Sequence, residues 1–434
     1  MCNIAYRALT NSSLLHVLSN RIVTFSLRSM STEVLADPSE AKQSVQVNNK
    51  RVLEDPIENG ATKVQRTEEQ SNTRKRKKHA LLLSYVGAKY LGMQRNPGCN
   101  TVEEQLLVAL KKADFIEDKM FEEAQLMNFQ RAARTDKGVS AAKQVVSLRL
   151  PDTVTKEELN KHLPDDIRVF GVQRATKAFN SKNFCTARTY MYIIPTYVFI
   201  PGDEPFLSEE NYTILGKPYK EYRITPEVLD KINDVGKSFL GSKNCHNVTS
   251  KLKAVDPRAF RVIHRFACTD TFVANDLEFA VLTIKGQSFL LHQIRKMVCL
   301  LIGVLRKVVT KDDVLSIFSR EKYIIGQAPG LGLILRNLHY DYYDKKFGDD
   351  GVHKPLTWDD CEEDVQNFLN NSIMKHIIET ECSQQHAFKW LQSKYFHIVK
   401  GENLETHEPP DIDEEPQEVH ENDEEHEKAE ADIQ

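Results

Sequence analysis

Between about His79 and Tyr343 the hydrophobic positions repeat with two periods, close to two and close to 3.6, in interleaved blocks. The period-two blocks predict strands. The apolar run Ala80 to Tyr85 is one, closed by Gly87, and a loop-like Tyr85-x-Gly87-x-x-Tyr90-x-Gly92 stretch follows. From Gln144 to Leu150, Val146, Leu148 and Leu150 alternate with Ser147 and Arg149. Val169 to Arg174 alternates, and Arg188 to Thr196 places Tyr190, Tyr192 and Ile194 on one face. Val262 to Thr269 and Leu277 to Lys285 follow, and a last strand runs from Gly330-Leu331-Gly332 to near Tyr343.

Helices are announced by their caps. Thr101 with Glu104, Thr155 with Glu158 and Thr310 with Asp313 have capping-box spacing, and Thr225-Pro226 puts proline at the first helical position. The strongest helical pattern is the stripe Leu290, Leu291, Ile294, Met297, Val298, Leu301, Ile302 and Leu305. Strands and helices mix in both halves without strict βαβ alternation. The expected fold is therefore α+β, with mixed or antiparallel sheets flanked by helices and divided between two subdomains that share a cleft.

One turn stands out chemically. The run Phe129-Gln130-Arg131-Ala132-Ala133-Arg134-Thr135-Asp136-Lys137-Gly138-Val139-Ser140-Ala141 leads into the Gln144–Leu150 strand. It reads as a hairpin with Gly138 free to take positive φ. Asp136 sits at its tip between Arg134 and Lys137, and flanking cations favour its anionic form, suited to nucleophilic or base chemistry. On local sequence alone a plain surface turn is the better explanation of these residues.

Charge divides the chain. From Gly401 to Gln434 there are 15 acidic residues and one basic, Lys428, whereas residues 1–400 hold 57 Lys and Arg against 47 Asp and Glu, a net of +10. A basic body with an acidic tail is the balance of a nucleic-acid-binding protein. The tail, with no aromatic residue, is expected to be disordered. Eight cysteines without a Cys-x-x-Cys pair argue against a zinc ribbon and a disulfide framework. No apolar run reaches the roughly 18 residues of a membrane span. The first 32 residues are acid-free, Ser-rich and amphipathic with Arg7, Arg21 and Arg28, as in a mitochondrial transit peptide, and Met30 offers a second start. Arg74-Lys75-Arg76-Lys77-Lys78 is a cluster of nuclear-localisation type, so pools in mitochondrion and nucleus are expected. The resulting divisions are a presequence (1–32), a disordered linker (33–78), a core (79–344), a helical extension (345–400) and the tail (401–434).

The run Arg134-Thr135-Asp136-Lys137-Gly138-Val139-Ser140-Ala141 resembles the catalytic loop of the TruA-type tRNA pseudouridine synthases. Ala187-Arg188-Thr189-Tyr190-Met191-Tyr192 resembles the family's Ala-Arg-x-Tyr-x-Tyr segment, and Phe289 to Arg295 its Phe-x-x-x-x-(Ile/Val)-Arg motif. Gly92-Met93-Gln94-Arg95-Asn96, Phe179-Asn180-Ser181-Lys182 and Pro329 to Leu333 are similar to the eukaryotic branch. The resemblance implies that Asp136 is the essential acid, that Tyr190 stacks on the target uracil and that Arg295 pairs with Asp136. It implies that Arg134 contacts phosphate and holds the nucleotide extruded; Lys137, Arg188 and His292 are read as further RNA contacts. It implies a two-subdomain fold with a basic cleft, a tRNA partner and no required cofactor. Messenger and small nuclear RNAs are further candidate substrates, and a monomer is the favoured state. Without the resemblance, alternating tyrosines are ordinary core packing and an arginine on a helix flank is ordinarily solvated. Cys245-His246 is discounted as a nucleophilic pair because no orienting Asn or Asp is indicated. Two other classes compete with this reading: a catalytically silent RNA-binding protein on this scaffold, and an Asp-dependent glycosidase. The second lacks a partner carboxylate. The segment 345–400, with Trp358, Phe368, Leu369, Ile377, Ile378, Phe388, Trp390 and Leu391, is expected to pack on the core and extend the RNA surface.

Overall fold

The structure is a computed structural model that describes residues 75–202, 220–250, 252–393 and 396–401. The expected presequence, the linker up to residue 74 and the acidic tail from residue 402 lie outside the described residues.

The apolar run near His79 forms β1 (Arg76–Tyr85), a central strand buried along nearly its whole length. It lies between β3 (Ser140–Pro151) and β4 (Ile167–Arg174), both antiparallel to it. β2 (Gln130–Arg131) is a short antiparallel partner at the start of β3. On the other side stand β5 (Ala187–Pro195), β6 (Gly241–Asn244), β7 (Phe260–Ala274), β8 (Leu277–Gly286) and β10 (Leu333–His339). One nine-stranded sheet results, ordered β4-β1-β3-β10-β5-β8-β7-β6 with β2 attached to β3. β9 (Tyr323–Ile325) pairs separately with β11 (Ile398–Lys400).

The α+β class and the mixed sheet are as expected, and the strands of both halves form one continuous sheet. The halves join where β10 pairs in parallel with β3, Ile334 opposite Ser140 and Leu335 opposite Ala141. The other pairings among the described strands are antiparallel. A single sheet therefore runs from the Asp136 hairpin to the Tyr190 strand.

Several boundaries also shift. The first strand begins at Arg76 rather than near His79, so three residues of the basic cluster belong to β1. Lys78 is buried, donates to the Asn128 carbonyl at 2.7 Å, and burial aided by Arg149 brings its amine down to about 8. Arg76 pairs with Glu117 at 2.8 Å and Lys77 with Asp152 at 2.5 Å. The last expected strand ends at His339, and Tyr343 belongs to the helix Asp341–Phe347. Thr310 and Asp313 form the reciprocal capping box. Thr101 and Thr155 cap their helices on one side only, because Glu104 is drawn to Arg95 and Glu158 to Lys161.

The strongest helix spans Gln293–Leu305 and is buried nearly all round rather than along one stripe. Leu290 and Leu291 precede it, and Leu291 is half exposed. β11 closes on this helix through Ile398. A Cβ on Gly303 would lie 2.4 Å from the Ile398 Cδ1, so glycine permits the approach.

The segment after residue 345 packs on the core as expected, with Trp358, Leu369, Ile377, Ile378, Phe388, Trp390 and Leu391 buried. Glu362, on the helix Glu362–Phe368, reaches Lys143 of β3 at 2.5 Å and Arg336 of β10 at 3.0 Å. Gln144, next to Lys143, points to the opposite face, where the Asp136 loop lies. This helix therefore covers the face of the sheet opposite the Asp136 loop.

Candidate active site

The Asp136 loop spans residues 132–139 between β2 and β3. β2 is only two residues long, so strand pairing cannot hold the loop. Backbone pairing ends with the Ala132 N–H on the Val145 carbonyl at 2.9 Å. The buried amide of Gln144 then takes over, accepting from the Ala133 N–H at 3.2 Å and donating to the Ala133 carbonyl at 2.9 Å. The Val139 N–H donates to the Asp136 carbonyl at 3.2 Å, and Gly138 takes φ +75°, as the turn requires.

The tyrosine- and glycine-bearing segment after β1 clasps this loop. The Tyr85 hydroxyl lies 2.8 Å from Thr135 Oγ1, both buried, and burial pushes the phenol up to about 12. The Met93 N–H donates to the Thr135 carbonyl at 3.1 Å, and the Gly138 N–H to the Tyr90 carbonyl at 3.2 Å. A Cβ on Gly87 would lie 2.3 Å from the Val139 carbonyl oxygen, so two backbones meet where only glycine fits. Sequence reasoning saw only a loop here. The Tyr-x-Gly-x-x-Tyr-x-Gly spacing was the available signal.

Asp136 itself, about a quarter exposed, opens on a cleft of about 740 Å³ that Tyr190 and Arg295 also line. Tyr190 is buried in β5, and its ring meets Phe289 edge-on, centroids 5.3 Å apart at 85°. Burial raises its phenol well above the ordinary value; Arg188 opposes this shift, and the Asp136 carboxylate adds to it. Arg295, only 1% exposed, is the third residue of the core helix. Its Nε donates to the Ala328 carbonyl at 2.7 Å. A cation in a first helical turn opposes the helix dipole, and a buried guanidinium needs a compensating anion. His292 begins the same helix in the left-handed conformation, φ 57°, with Nε2 4.0 Å from Asp136 Oδ2.

The remaining predicted residues divide. Arg134 is exposed at the cleft, and Lys137 lies half-buried on the turn, lining a smaller groove beyond Asp136. Arg188 lines the cleft, but its guanidinium donates inward, to the carbonyls of Gln287 at 2.7 Å and Ala132 at 3.0 Å. It joins the start of the Asp136 loop to the segment before the core helix. Lys182, Arg261 and Phe289 also line the cleft and were not singled out as site residues.

Cys245 and His246 are both buried, and Asn244 Oδ1 lies 3.1 Å from His246 Nδ1, an orienting amide that the sequence did not indicate. Burial holds the Cys245 thiol up at about 12 and the His246 imidazole below its usual value. The neighbouring Asn247 fastens the chain, donating to the Ile317 and Glu321 carbonyls at 2.8 and 2.7 Å. Among the described residues, no group of three or more His, Cys, Asp or Glu is placed to hold a metal ion, and no helix is long and apolar enough to cross a membrane.

An acid on a braced loop, a buried tyrosine and a buried arginine thus line one cleft. Residues 236–341, which include His292 and Arg295, match the family model described as tRNA pseudouridine synthase. The chain is 41% identical over 322 residues to the pseudouridylate synthase 1 homolog of Homo sapiens, covering 73% of each chain. The Mus musculus homolog is 39% identical over 354 residues, 80% of this chain and 81% of that one. The tRNA pseudouridine synthase 1 of Yarrowia lipolytica is 31% identical over 391 residues, 72% and 73% of the two. The chain thus belongs to the tRNA pseudouridine synthase family, enzymes that isomerise uridine within RNA.

Proposed function

We propose that Asp136 carries the chemistry, with Tyr190 and Arg295 as its immediate partners. The reaction cleaves the bond from uracil nitrogen 1 to the ribose, turns the base, and rejoins it through carbon 5. The carboxylate acts at the ribose, as nucleophile or base. Arg295, fixed in the core helix, holds the acid ionised and oriented. Tyr190, whose phenol keeps its proton and is held to it more firmly by burial, gives the freed uracil a platform and a hydrogen-bond donor. Arg134 holds the backbone phosphate of the extruded nucleotide, which suits a guanidinium at an exposed rim. The observation that carries this reading is that Asp136, Tyr190 and Arg295, far apart in sequence, line one cleft.

The decisive experiment is Asp136→Ala with a uridine-containing tRNA. Pseudouridine formation should fall by about 10³-fold or more while RNA binding is retained. Retained product would end the assignment; a wild-type chain that binds but forms no product would favour a silent RNA-binding protein.

The cations at the cleft rim, Arg134, Lys182 and Arg261, support binding of the RNA backbone there. Messenger and small nuclear RNAs are proposed as additional substrates, and a monomer as the working state. The acid-free N-terminal segment supports import into mitochondria, and a Met30 start would supply a nuclear pool. Identical distributions of tagged full-length and Met30-start forms would refute that division.

A further inference from the structure

A second, shallower groove of about 340 Å³ lies on the far side of the Asp136 loop. It shares Thr135, Asp136, Leu291 and His292 with the main cleft, while Tyr190 and Arg295 line only the main one. The target uracil, which needs Tyr190, therefore belongs in the main cleft. The smaller groove begins where a strand continuing past the ribose at Asp136 would run.

Its lining is unusual for a protein surface. Leu91 and Leu291, from separate segments, are 47% and 51% exposed and both face the groove. Two large apolar side chains left open at one spot mark a contact surface. Gln94 and Asn96 line the same groove, and their side-chain amides make no hydrogen bond to another described residue. An amide carries two donors and an acceptor with two lone pairs, the pattern that reads a base edge. Lys137 adds a cation at the rim, suited to phosphate. Apolar faces, uncommitted amides and one cation together match a single unstacked nucleotide.

We propose that this groove binds the nucleotide adjacent to the target uridine, its base lying between Leu91 and Leu291 and its edge read by Gln94 and Asn96. The subsite rests on the assignment of the ribose to Asp136. It makes the choice of uridine depend on a neighbour as well as on the target.

The test uses full-length protein and one substrate tRNA, with the nucleotide on either side of the target made abasic in turn. With wild-type protein, one of the two abasic tRNAs should show a KM raised about tenfold, the loss expected for one stacked base. In the Leu91→Ala/Leu291→Ala protein, intact and abasic tRNAs should show the same raised KM, since the same contact is removed twice. Gln94→Ala/Asn96→Ala should flatten any preference among the four bases at that position. Additive losses, or indifference of the wild type to both abasic tRNAs, would overturn the subsite. A failure of the catalytic assignment would appear separately, as product formed by Asp136→Ala.

Discussion

His292 Nε2 stands 4.0 Å from Asp136 Oδ2, and His292 is the left-handed residue from which the Arg295 helix starts. One side chain thus touches the acid, while its backbone sets the entry of the helix that carries the buried guanidinium. A non-glycine residue in this conformation costs on the order of 1 kcal/mol and persists only where its surroundings fix it.

His292→Gly separates the two roles. Glycine accepts φ 57° without strain, so the melting temperature should hold or rise. Turnover should fall by about tenfold or more as Asp136 loses its neighbour. A full rate in this variant would show that the imidazole does nothing for the acid.

Removing the Tyr85 hydroxyl tests the clasp. Tyr85→Phe leaves Thr135 Oγ1 buried without its 2.8 Å partner, a cost of about 1–3 kcal/mol by denaturant unfolding. Product formation should drop as well, although Tyr85 does not line the cleft. Stability lost with kcat unchanged would mean that the loop needs no such brace.

Gly87→Ala is a harsher test of the same contact. Its new methyl would lie 2.3 Å from the Val139 carbonyl, so one backbone must move, at a cost of about 1–3 kcal/mol or more. Unaltered unfolding would contradict the close approach.

Glu381 gives the fold a pH signature. Its carboxyl is 5% exposed, accepts from the Ala387 N–H at 3.0 Å and the Tyr197 hydroxyl at 3.2 Å, and burial raises it from 4.5 to about 7. The folded state therefore favours the protonated acid. That contribution is complete below about pH 4.5 and is lost as pH rises through about 7. Glu381→Gln, neutral throughout, should gain stability relative to wild type between pH 5 and 8, approaching 2–3 kcal/mol, on the order set by the shift. A pH-independent difference in melting temperature would refute this.

Deleting residues 401–434 removes 15 acids and one base. If the tail competes with RNA for the basic body, nonspecific RNA affinity should rise at low salt and the rise should fade at high salt. Equal affinities at every salt concentration would leave the tail no such role.

Much of this was legible in the sequence. Alternation in Val146–Leu150 and the Tyr190–Ile194 face located β3 and β5, although β3 is buried on both faces, Ser147 included. Asp136, Tyr190 and Arg295 were visible only through motif resemblance. Local spacing alone made each of them an ordinary turn, core or surface residue. The Gln144 amide, the Tyr85 hydroxyl and the Gly87 approach act across 11 to about 50 residues of chain, so no local period records them. Arg188, read as an RNA contact, lines the cleft but also donates to carbonyls of its own protein, a long-range bond that local sequence does not record. The core helix was legible from its stripe, but the burial of its other face, through residues such as Cys299 and Gly303, was not.

The parallel seam between β3 and β10 joins residues nearly two hundred positions apart, beginning at Ser140, four residues after Asp136. Such a long closure forms slowly, because its entropy must be met before the ladder exists. The acid therefore gains its firm footing only after most of the polypeptide has been made. A nascent chain halted before β10 would carry the reactive loop without the wall that aims it, and competence would arrive with the last piece of the sheet.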